Sequence, residues 1–342
     1  MPEGDTYDQH GRQSGHNIRR CPMPRCVILA LDHSPLSSVS GPLEILLLGA
    51  RLAAAHDWQI EVAAENTTQI RGQGGICLSA HTRLADVSQA DLLIVAAIGD
   101  PRLRSDALQA NTLQQIHTLH QRGSRMVSIC TGAFVLAAAG ILEGRQATSH
   151  WAVTDWLQQQ FPAVLWQRNA MLTHDGNISC SGGASAYQDM SLQLVRDYFG
   201  ESVALQVART VLIDSDRHSQ LQYSGFMPER QHQDERILEI QDWLDQHGCE
   251  PFNLADLAAQ IHLSERQFKR RFTQAVRQSP LAYIQALRME KARQALSGSR
   301  RQVEQIARAC GYDDVRFFRE LFRRSTGLTP QAYRQKFARW QP

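Results

Sequence analysis

Two hydrophobic periodicities divide this chain and limit the folds it can adopt. Between residues 25 and 212, short apolar runs rich in β-branched residues alternate with helical patterns. The runs predict buried strands at Cys26–Leu31, Gln59–Ala64, Leu92–Ile98 and Met126–Cys130. Strands that alternate with helices indicate a doubly wound, mainly parallel sheet with helices on both faces.

The remaining elements of this region follow from the same patterns. Asn169–Ser181 predicts a hairpin that supplies an edge strand of the sheet. Helical patterns occupy Pro42–Ala55, Asp106–His120, Gly182–Phe199 and Glu201–Leu212. The last two helices are expected to close an α/β domain over residues 25–212.

The rest of the chain has a different organisation. Residues 213–233 are polar, aperiodic and contain Pro228, which indicates an interdomain linker. Every later apolar repeat has the helical period, so residues 234–342 are expected to form an all-α domain. Residues 1–24 have no apolar core and are expected to be a disordered leader, not a secretory signal.

Charge separates the two ends of the chain. Residues 251–342 hold 18 Lys and Arg against 7 Asp and Glu, whereas the first 250 residues hold 18 against 27. A basic C-terminal domain indicates an anionic partner, and double-stranded DNA is the first candidate.

The cysteine content and the hydropathy of the chain limit the cellular compartment in which we expect it. The longest weakly charged apolar run, Ile129–Leu142, is too short to span a bilayer, so no membrane partner is expected. The 7 cysteines are odd in number, scattered and without a CxxC pair, which argues against a zinc site or a disulfide framework. We expect a cytoplasmic protein with no metal and no cofactor.

The C-terminal region contains the same helical unit twice. In the first copy Ser264 begins a helix, and Gln267 completes its capping box. Phe268 and Phe272 share the inner face of that helix, and basic residues lie on its outer face. A short helix, a turn and such a helix are typical of a helix-turn-helix that binds DNA.

The second copy spans Val303–Thr326, with its turn at Cys310-Gly311-Tyr312 and a cap at Asp313 or Asp314. Between the copies, Pro280–Leu296 predicts one continuous helix, a rod that holds the two recognition helices near one DNA turn apart.

Two segments, LADLAAQIHLSERQFKRRF and IARACGYDDVRFFRELFRRSTGLTPQAYR, resemble the AraC/XylS DNA-binding domain over about residues 236–337. The resemblance implies sequence-specific promoter binding, and usually activation through contact with RNA polymerase. By the same resemblance, the base-reading positions fall on Arg266, Lys269, Arg270, Val315, Arg316, Arg319 and Glu320. A regulator that reads tandem half-sites is expected to act as a homodimer.

The N-terminal region carries a candidate nucleophile. Met126–Leu142 predicts a strand, a sharp turn at Cys130-Thr131-Gly132 and a helix of small residues. A cysteine at such a turn is expected to be exposed, and the helix N-terminus is expected to lower its pKa. The motifs ICTGAF, GILEGRQATSHW and SCSGGASAYQDMSLQLV resemble the PfpI branch of the class I glutamine amidotransferase-like superfamily, with a flavodoxin-like fold. Together with the C-terminal domain they resemble the GlxA-like regulators.

Two departures from that family argue against an enzyme. Hydrolytic relatives have His directly after the cysteine, where this chain has Thr131. Other relatives have an acid four residues before the proline of a GP motif, where this chain has Ser38. Glu44, one turn into the next helix, is the candidate substitute for that acid. A structural role, an effector-binding role and a catalytic role for Cys130 all stay open, as does redox sensing.

The GlxA-like resemblance implies an effector such as betaine, carnitine or arginine. We therefore expect an amino-acid or quaternary-amine ligand, bound where the strands end, near Gly99-Asp100. The candidate effector-binding residues are Ser38, Glu44, Cys130, Thr131, His150 and Trp151. His150 and Trp151 are alternatively structural, and an aromatic wall favours a quaternary ammonium. The function predicted is a DNA-binding transcriptional regulator, expected to be an activator. The alternative is a cysteine-dependent hydrolase or hydratase fused to a DNA-binding domain.

Overall fold

The computed structural model describes residues 24–104, 108–214 and 217–338. The predicted leader therefore lies outside the described residues, apart from Pro24. No helix within the described part of the chain is long and apolar enough to cross a membrane.

Eleven short strands occur in the described residues. They are β1 Arg25–Ala30, β2 Gln59–Ala64, β3 Gln69–Arg71, β4 Cys77–Ser79, β5 Thr82–Arg83, β6 Leu92–Val95, β7 Arg125–Ile129, β8 Gln146–Ala147, β9 Leu165–Trp166, β10 Leu172–Asp175 and β11 Ile178–Ser181. Seven of them form one sheet in the order β10-β11-β7-β6-β1-β2-β5. Its pairs are parallel except β10 with β11, so the predicted mainly parallel sheet with a hairpin at its edge is confirmed.

Helices cover both faces of this sheet. They are α1 Ser37–Leu52, α2 Ala110–Gln121, α3 Gly132–Ala138, α4 Thr154–Gln160, α5 Tyr187–Phe199 and α6 Glu201–Thr210. Successive residues of β1 point to opposite faces: Val27 and Leu29 pack with α2, α3 and α4, and Cys26 and Ile28 pack with α1, α5 and α6. The apolar runs of the sequence are continuous because both faces of each central strand are buried.

The C-terminal region is helical, as predicted. Its helices are α7 Glu235–His247, α8 Leu254–Gln260, α9 Glu265–Val276, α10 Pro280–Gly298, α11 Val303–Ala309, α12 Val315–Thr326 and α13 Pro330–Phe337. One core cluster joins α7, α8, α9 and the first half of α10, and a second joins the other half of α10 with α11, α12 and α13. The 19-residue α10, about 28 Å long, is therefore the rod shared by both units.

Candidate functional site

A cavity of about 260 Å³ opens at the carboxyl ends of the parallel strands. Loops after β1, β6 and β7 contribute to it, as expected where the strands of an open α/β sheet end. Its lining residues are Pro35, Ser38, Ala97, Gly99, Asp100, Arg102, Cys130, Thr131, His150, Ala152, Val153 and Ala184. Four of the six predicted effector residues therefore meet here, namely Ser38, Cys130, Thr131 and His150.

Cys130 occupies the turn between β7 and α3 with a φ of 53°, a left-handed conformation that is rare for a residue with a side chain. Its backbone N–H donates to the Ser181 carbonyl at 3.0 Å, and its own carbonyl accepts from Ser149 Oγ at 3.0 Å. These bonds to two neighbouring segments fix the strained turn.

The thiol of Cys130 differs from what the sequence predicted. The residue is only 5% exposed, and burial raises the pKa of its thiol to about 12. The expectation of an exposed thiol with a lowered pKa is therefore wrong. The physical reason is that loss of hydration disfavours the thiolate more than the N-terminus of the seven-residue α3 favours it.

The side chains of Ser38 and Thr131 form hydrogen bonds with backbone groups in this structure. Ser38 Oγ donates to the Pro35 carbonyl at 2.7 Å and accepts from the Ala97 N–H at 3.1 Å. Thr131 Oγ1 accepts from the Ile98 N–H at 3.1 Å. The residues that replace the acid and the histidine of hydrolytic relatives thus both position the segment that follows β6.

His150 presents a neutral ring to the cavity. Burial lowers the pKa of its imidazole, and the Ala152 N–H donates to Nδ1 at 3.2 Å. In the neutral ring the proton then lies on Nε2, which is left as a hydrogen-bond donor. The neighbouring Trp151 packs against the imidazole with ring centroids 5.3 Å apart.

Trp151 and Glu44 lie outside the described lining of the cavity. Glu44 is exposed on α1, and Trp151 is half-buried behind His150. Trp156 packs into the core against Phe134, with ring centroids 5.7 Å apart. Effector binding by Glu44 and Trp151 stays a prediction.

The charged groups of the cavity lining are an ion pair. Asp100 and Arg102 form a two-point contact, with Nε to Oδ1 at 2.9 Å and Nη2 to Oδ2 at 2.6 Å. This hydrogen bonding from the guanidinium lowers the pKa of the Asp100 carboxyl. Sequence analysis placed Asp100 near the pocket but missed Arg102, since an i,i+2 pair of opposite charges is common in surface loops.

Sequence analysis also missed Gln220, which lies in the predicted linker and is buried. Its Nε2 donates to the Ser149 and Ala170 carbonyls, both at 2.9 Å, and its Oε1 accepts from the Trp151 N–H at 3.3 Å. A Cβ at Gly182 would come within 2.2 Å of this amide, so only glycine leaves room for it. No local sequence pattern signals a contact between residues 71 positions apart.

The candidate nucleic-acid interface is the outer face of α9 and α12. In α9, Phe268 and Phe272 are buried while Arg266, Lys269 and Arg270 are exposed. Lys269 pairs with Glu265 at 2.5 Å. Within the part of the chain that the structure describes, neither Arg266 nor Arg270 has an ion-pair partner. Base reading by the α9 residues stays a prediction.

The outer face of α12 is more constrained. Arg316 and Glu320 are exposed, but Val315 is half-buried and packs against the second core cluster. Arg319 pairs with Glu304 of α11 at 2.5 Å. The base-reading positions on α12 therefore stay predictions, with Val315 the least accessible of them.

Comparison with known proteins matches both halves of the chain. Residues 35–197 match the DJ-1/PfpI family, and residues 257–336 match the helix-turn-helix domain. The HTH-type transcriptional regulator CdhR of Pseudomonas aeruginosa is 28% identical over 265 residues, which cover 76% of this chain and 77% of CdhR. The HTH-type transcriptional regulator GlxA of Rhizobium meliloti is 26% identical over 313 residues, 91% of this chain and 96% of GlxA. A crystal structure of a putative transcriptional regulator protein from Vibrio parahaemolyticus has a TM-score of 0.52 at 28% identity. The match covers 55% of this chain and 98% of the Vibrio chain.

Proposed function

We propose that a small zwitterionic nitrogen compound bound in the cavity controls promoter binding. The premise is that this chain belongs to the AraC-type DNA-binding transcriptional regulators that carry a DJ-1/PfpI domain. The observation that carries the proposal is the buried Gln220 amide. It ties the linker to Ser149 and Trp151, the two residues that flank His150. A ligand that moves His150 therefore moves the linker.

The cavity suits a small ligand with both charges. Its volume of about 260 Å³ is below the range typical of drug-sized ligands. The Ser38 hydroxyl both donates to and accepts from backbone, and Thr131 Oγ1 accepts one backbone N–H. The main polar anchors left to a ligand are therefore His150 Nε2 and the Asp100–Arg102 pair. An amino acid or a betaine has an ammonium group that can pair with Asp100 in place of Arg102. It also has a carboxylate that can pair with Arg102 in place of Asp100.

The linker continues from the cavity to both units of the helical region. Tyr223 contacts Phe337 of α13, with ring centroids 5.8 Å apart, and Phe226 contacts Tyr283 of α10 at 4.9 Å. The Phe226 N–H also donates to Glu290 of α10 at 3.2 Å. A shift of Gln220 is thereby passed to the scaffold of both recognition helices.

The same geometry supports binding without conversion of the ligand. A cysteine nucleophile requires a proton acceptor and a substantial thiolate fraction. Ser38 and Thr131 supply neither an acid nor a base to Cys130, and burial raises the pKa of its thiol. We therefore place the cysteine-dependent hydrolase or hydratase second, and treat Cys130 as part of a binding wall.

Thermal unfolding of the full chain tests the ligand class. Glycine betaine, carnitine and arginine are the compounds to add first, with glutamate as an acidic comparison. A ligand at 100 times its Kd stabilises the folded chain by about 2.7 kcal/mol. Asp100→Asn and Arg102→Gln should remove this stabilisation. Arg83→Gln, which breaks an exposed pair with Asp86 away from the cavity, should not. Equal responses of all three variants, or no response to any compound, would refute the proposal.

The role of Gln220 requires a second readout. Gln220→Ala should still bind the ligand but lose the ligand-dependent change in DNA affinity. Gln206→Ala on the exposed surface of α6 is the matched control. If Gln220→Ala kept the ligand-dependent change in DNA affinity of the parent, Gln220 would not be the link between the cavity and the DNA-binding helices.

We further propose that the regulator is a homodimer whose two copies contact each other through their α/β domains. We also propose that it activates transcription by contact with RNA polymerase. The basic helical half repels a second copy, whereas α1 and α6 expose the apolar Leu47 and Leu205. Sedimentation of the full chain should give a dimer, and Leu47→Glu with Leu205→Glu should give a monomer. Transcription from a bound promoter with purified polymerase tests activation.

A further inference from the structure

Two cysteine thiols of the helical region touch each other. Cys249 follows α7, and Cys310 ends α11 at the turn of the second helix-turn-helix. The two are 61 positions apart in the sequence, yet Cys249 packs against the core cluster that contains Cys310, and both are free thiols. Cys310 is buried and Cys249 is half-buried, so Cys249 is the more exposed residue of the pair.

One arginine holds the backbone around both cysteines. Arg288 of α10 donates through Nε to the Gly248 carbonyl at 2.7 Å and through Nη2 to the Glu250 carbonyl at 3.2 Å. Its Nη1 donates to the Gly311 carbonyl at 3.2 Å. The residues on either side of Cys249 and the residue after Cys310 thus share one guanidinium, which keeps the two segments together.

The surroundings distinguish the two thiols chemically. The hydrogen bond from Cys310 lowers the pKa of the Cys249 thiol, and the nearby charges of Lys291 and Arg288 lower it further. The same hydrogen bond, together with burial, raises the pKa of the Cys310 thiol. The pair therefore consists of a half-buried cysteine whose thiol loses its proton more readily than usual and a buried cysteine packed against it, as in redox-sensitive cysteine pairs.

We propose that Cys249 and Cys310 are a modification site at which hydrogen peroxide forms a reversible disulfide. The Cys249 thiolate attacks one peroxide oxygen, the O–O bond breaks, and hydroxide leaves as water after taking up the proton released from Cys249. The Cys310 thiol then attacks the sulfenic sulfur, the S–S bond forms, and a second water leaves. Two thiols thereby supply the two electrons that reduce one peroxide, and a dithiol reductant reverses the step.

The disulfide would act on DNA binding through the second recognition helix. Cys310 lies in the turn that sets the angle between α11 and α12, and its N–H donates to the Ile306 and Ala307 carbonyls. A disulfide requires about 2.05 Å between the sulfur atoms, closer than two unbonded sulfur atoms approach. Closing that gap pulls the turn toward the end of α7, so α12 is reoriented while α9 keeps its place.

Peptide mass mapping of the full chain tests the cross-link. The reduced protein is treated with hydrogen peroxide, alkylated and digested without reductant. We expect a peptide pair that joins Cys249 to Cys310 and disappears with dithiothreitol. Absence of this pair, a disulfide that involves other cysteines instead, or sulfinic acid on Cys249 would overturn the proposal.

DNA binding provides the functional readout, with a fluorescent duplex selected from a random pool by the reduced protein. Peroxide should lower the affinity of the parent several-fold, and dithiothreitol should restore it. Cys249→Ser should be insensitive, whereas Cys77→Ser, a change at an exposed cysteine of β4, should respond like the parent. Cys310→Ala should accumulate a sulfenic acid on Cys249 that dimedone labels. An equal peroxide response of Cys249→Ser and the parent would refute the regulatory role.

Discussion

The two helix-turn-helix units are nearly the same in backbone and different in what surrounds them. Each has a first helix of 7 residues and a recognition helix of 12. Each turn contains one residue with positive φ, His262 at 56° and Gly311 at 82°. The inner faces match as well, with Phe268 and Phe272 in one unit and Phe318 and Phe322 in the other.

The outer faces and the turns differ. Arg266 and Arg270 of the first unit have no ion-pair partner among the described residues, whereas Arg319 of the second unit is held by Glu304. The turn of the second unit also packs on the loop after α7, where a Cβ at Gly311 would lie 2.6 Å from the Cys249 carbonyl oxygen. We predict from this comparison that the side chains of the first unit are the freer to contact DNA, because Arg319 of the second unit is paired with the preceding helix.

The largest expected effect comes from substituting the residue with positive φ in each turn. Gly311→Ala places a side chain in a left-handed conformation, which costs about 1–3 kcal/mol, and adds the clash with the Cys249 carbonyl. His262→Gly removes strain from a residue that already adopts positive φ, and should stabilise the chain by up to about 1 kcal/mol. Thermal unfolding followed by circular dichroism measures both. Equal shifts for the two variants would mean that the turns are equivalent.

An intermediate effect is expected from the arginines of the recognition helices. Arg270→Ala should remove about 1–3 kcal/mol of discrimination at one or two base pairs. Arg319→Ala should remove less, because Arg319 must leave Glu304 before it contacts DNA. Binding to a selected site and its single-base variants measures the difference, with the exposed Arg308→Ala as a control for nonspecific charge. A uniform loss of affinity for every variant would indicate that Arg270 binds phosphate and does not read bases.

The smallest expected effect comes from releasing, in each unit, a paired side chain at a predicted base-reading position. Glu304→Gln frees Arg319, and Glu265→Gln frees Lys269. Both pairs are exposed, so each change is worth about 0–1 kcal/mol. We expect Glu304→Gln to raise DNA affinity more, since it frees a planar guanidinium suited to guanine. A larger gain from Glu265→Gln would reverse the order inferred for the two units.

Local interactions made much of the fold predictable. The capping box of Ser264 and Gln267 is present, and the open choice of cap for α12 is resolved in favour of Asp314, which accepts from the Arg316 and Phe317 N–H groups. The alternation of apolar runs predicted the sheet because both faces of its central strands are buried. These features depend on residues a few positions apart, so periodicity and capping suffice to find them.

The sequence by itself determined the two kinds of domain, the paired helix-turn-helix units and the loops where a pocket forms. Only the tertiary structure decided that Cys130 is buried with a raised pKa, that Gln220 docks beside His150, and that Cys249 meets Cys310. The physical reason is the same in each case. Desolvation and contact depend on which distant segments cover a group, and the local pattern around a residue carries no record of them.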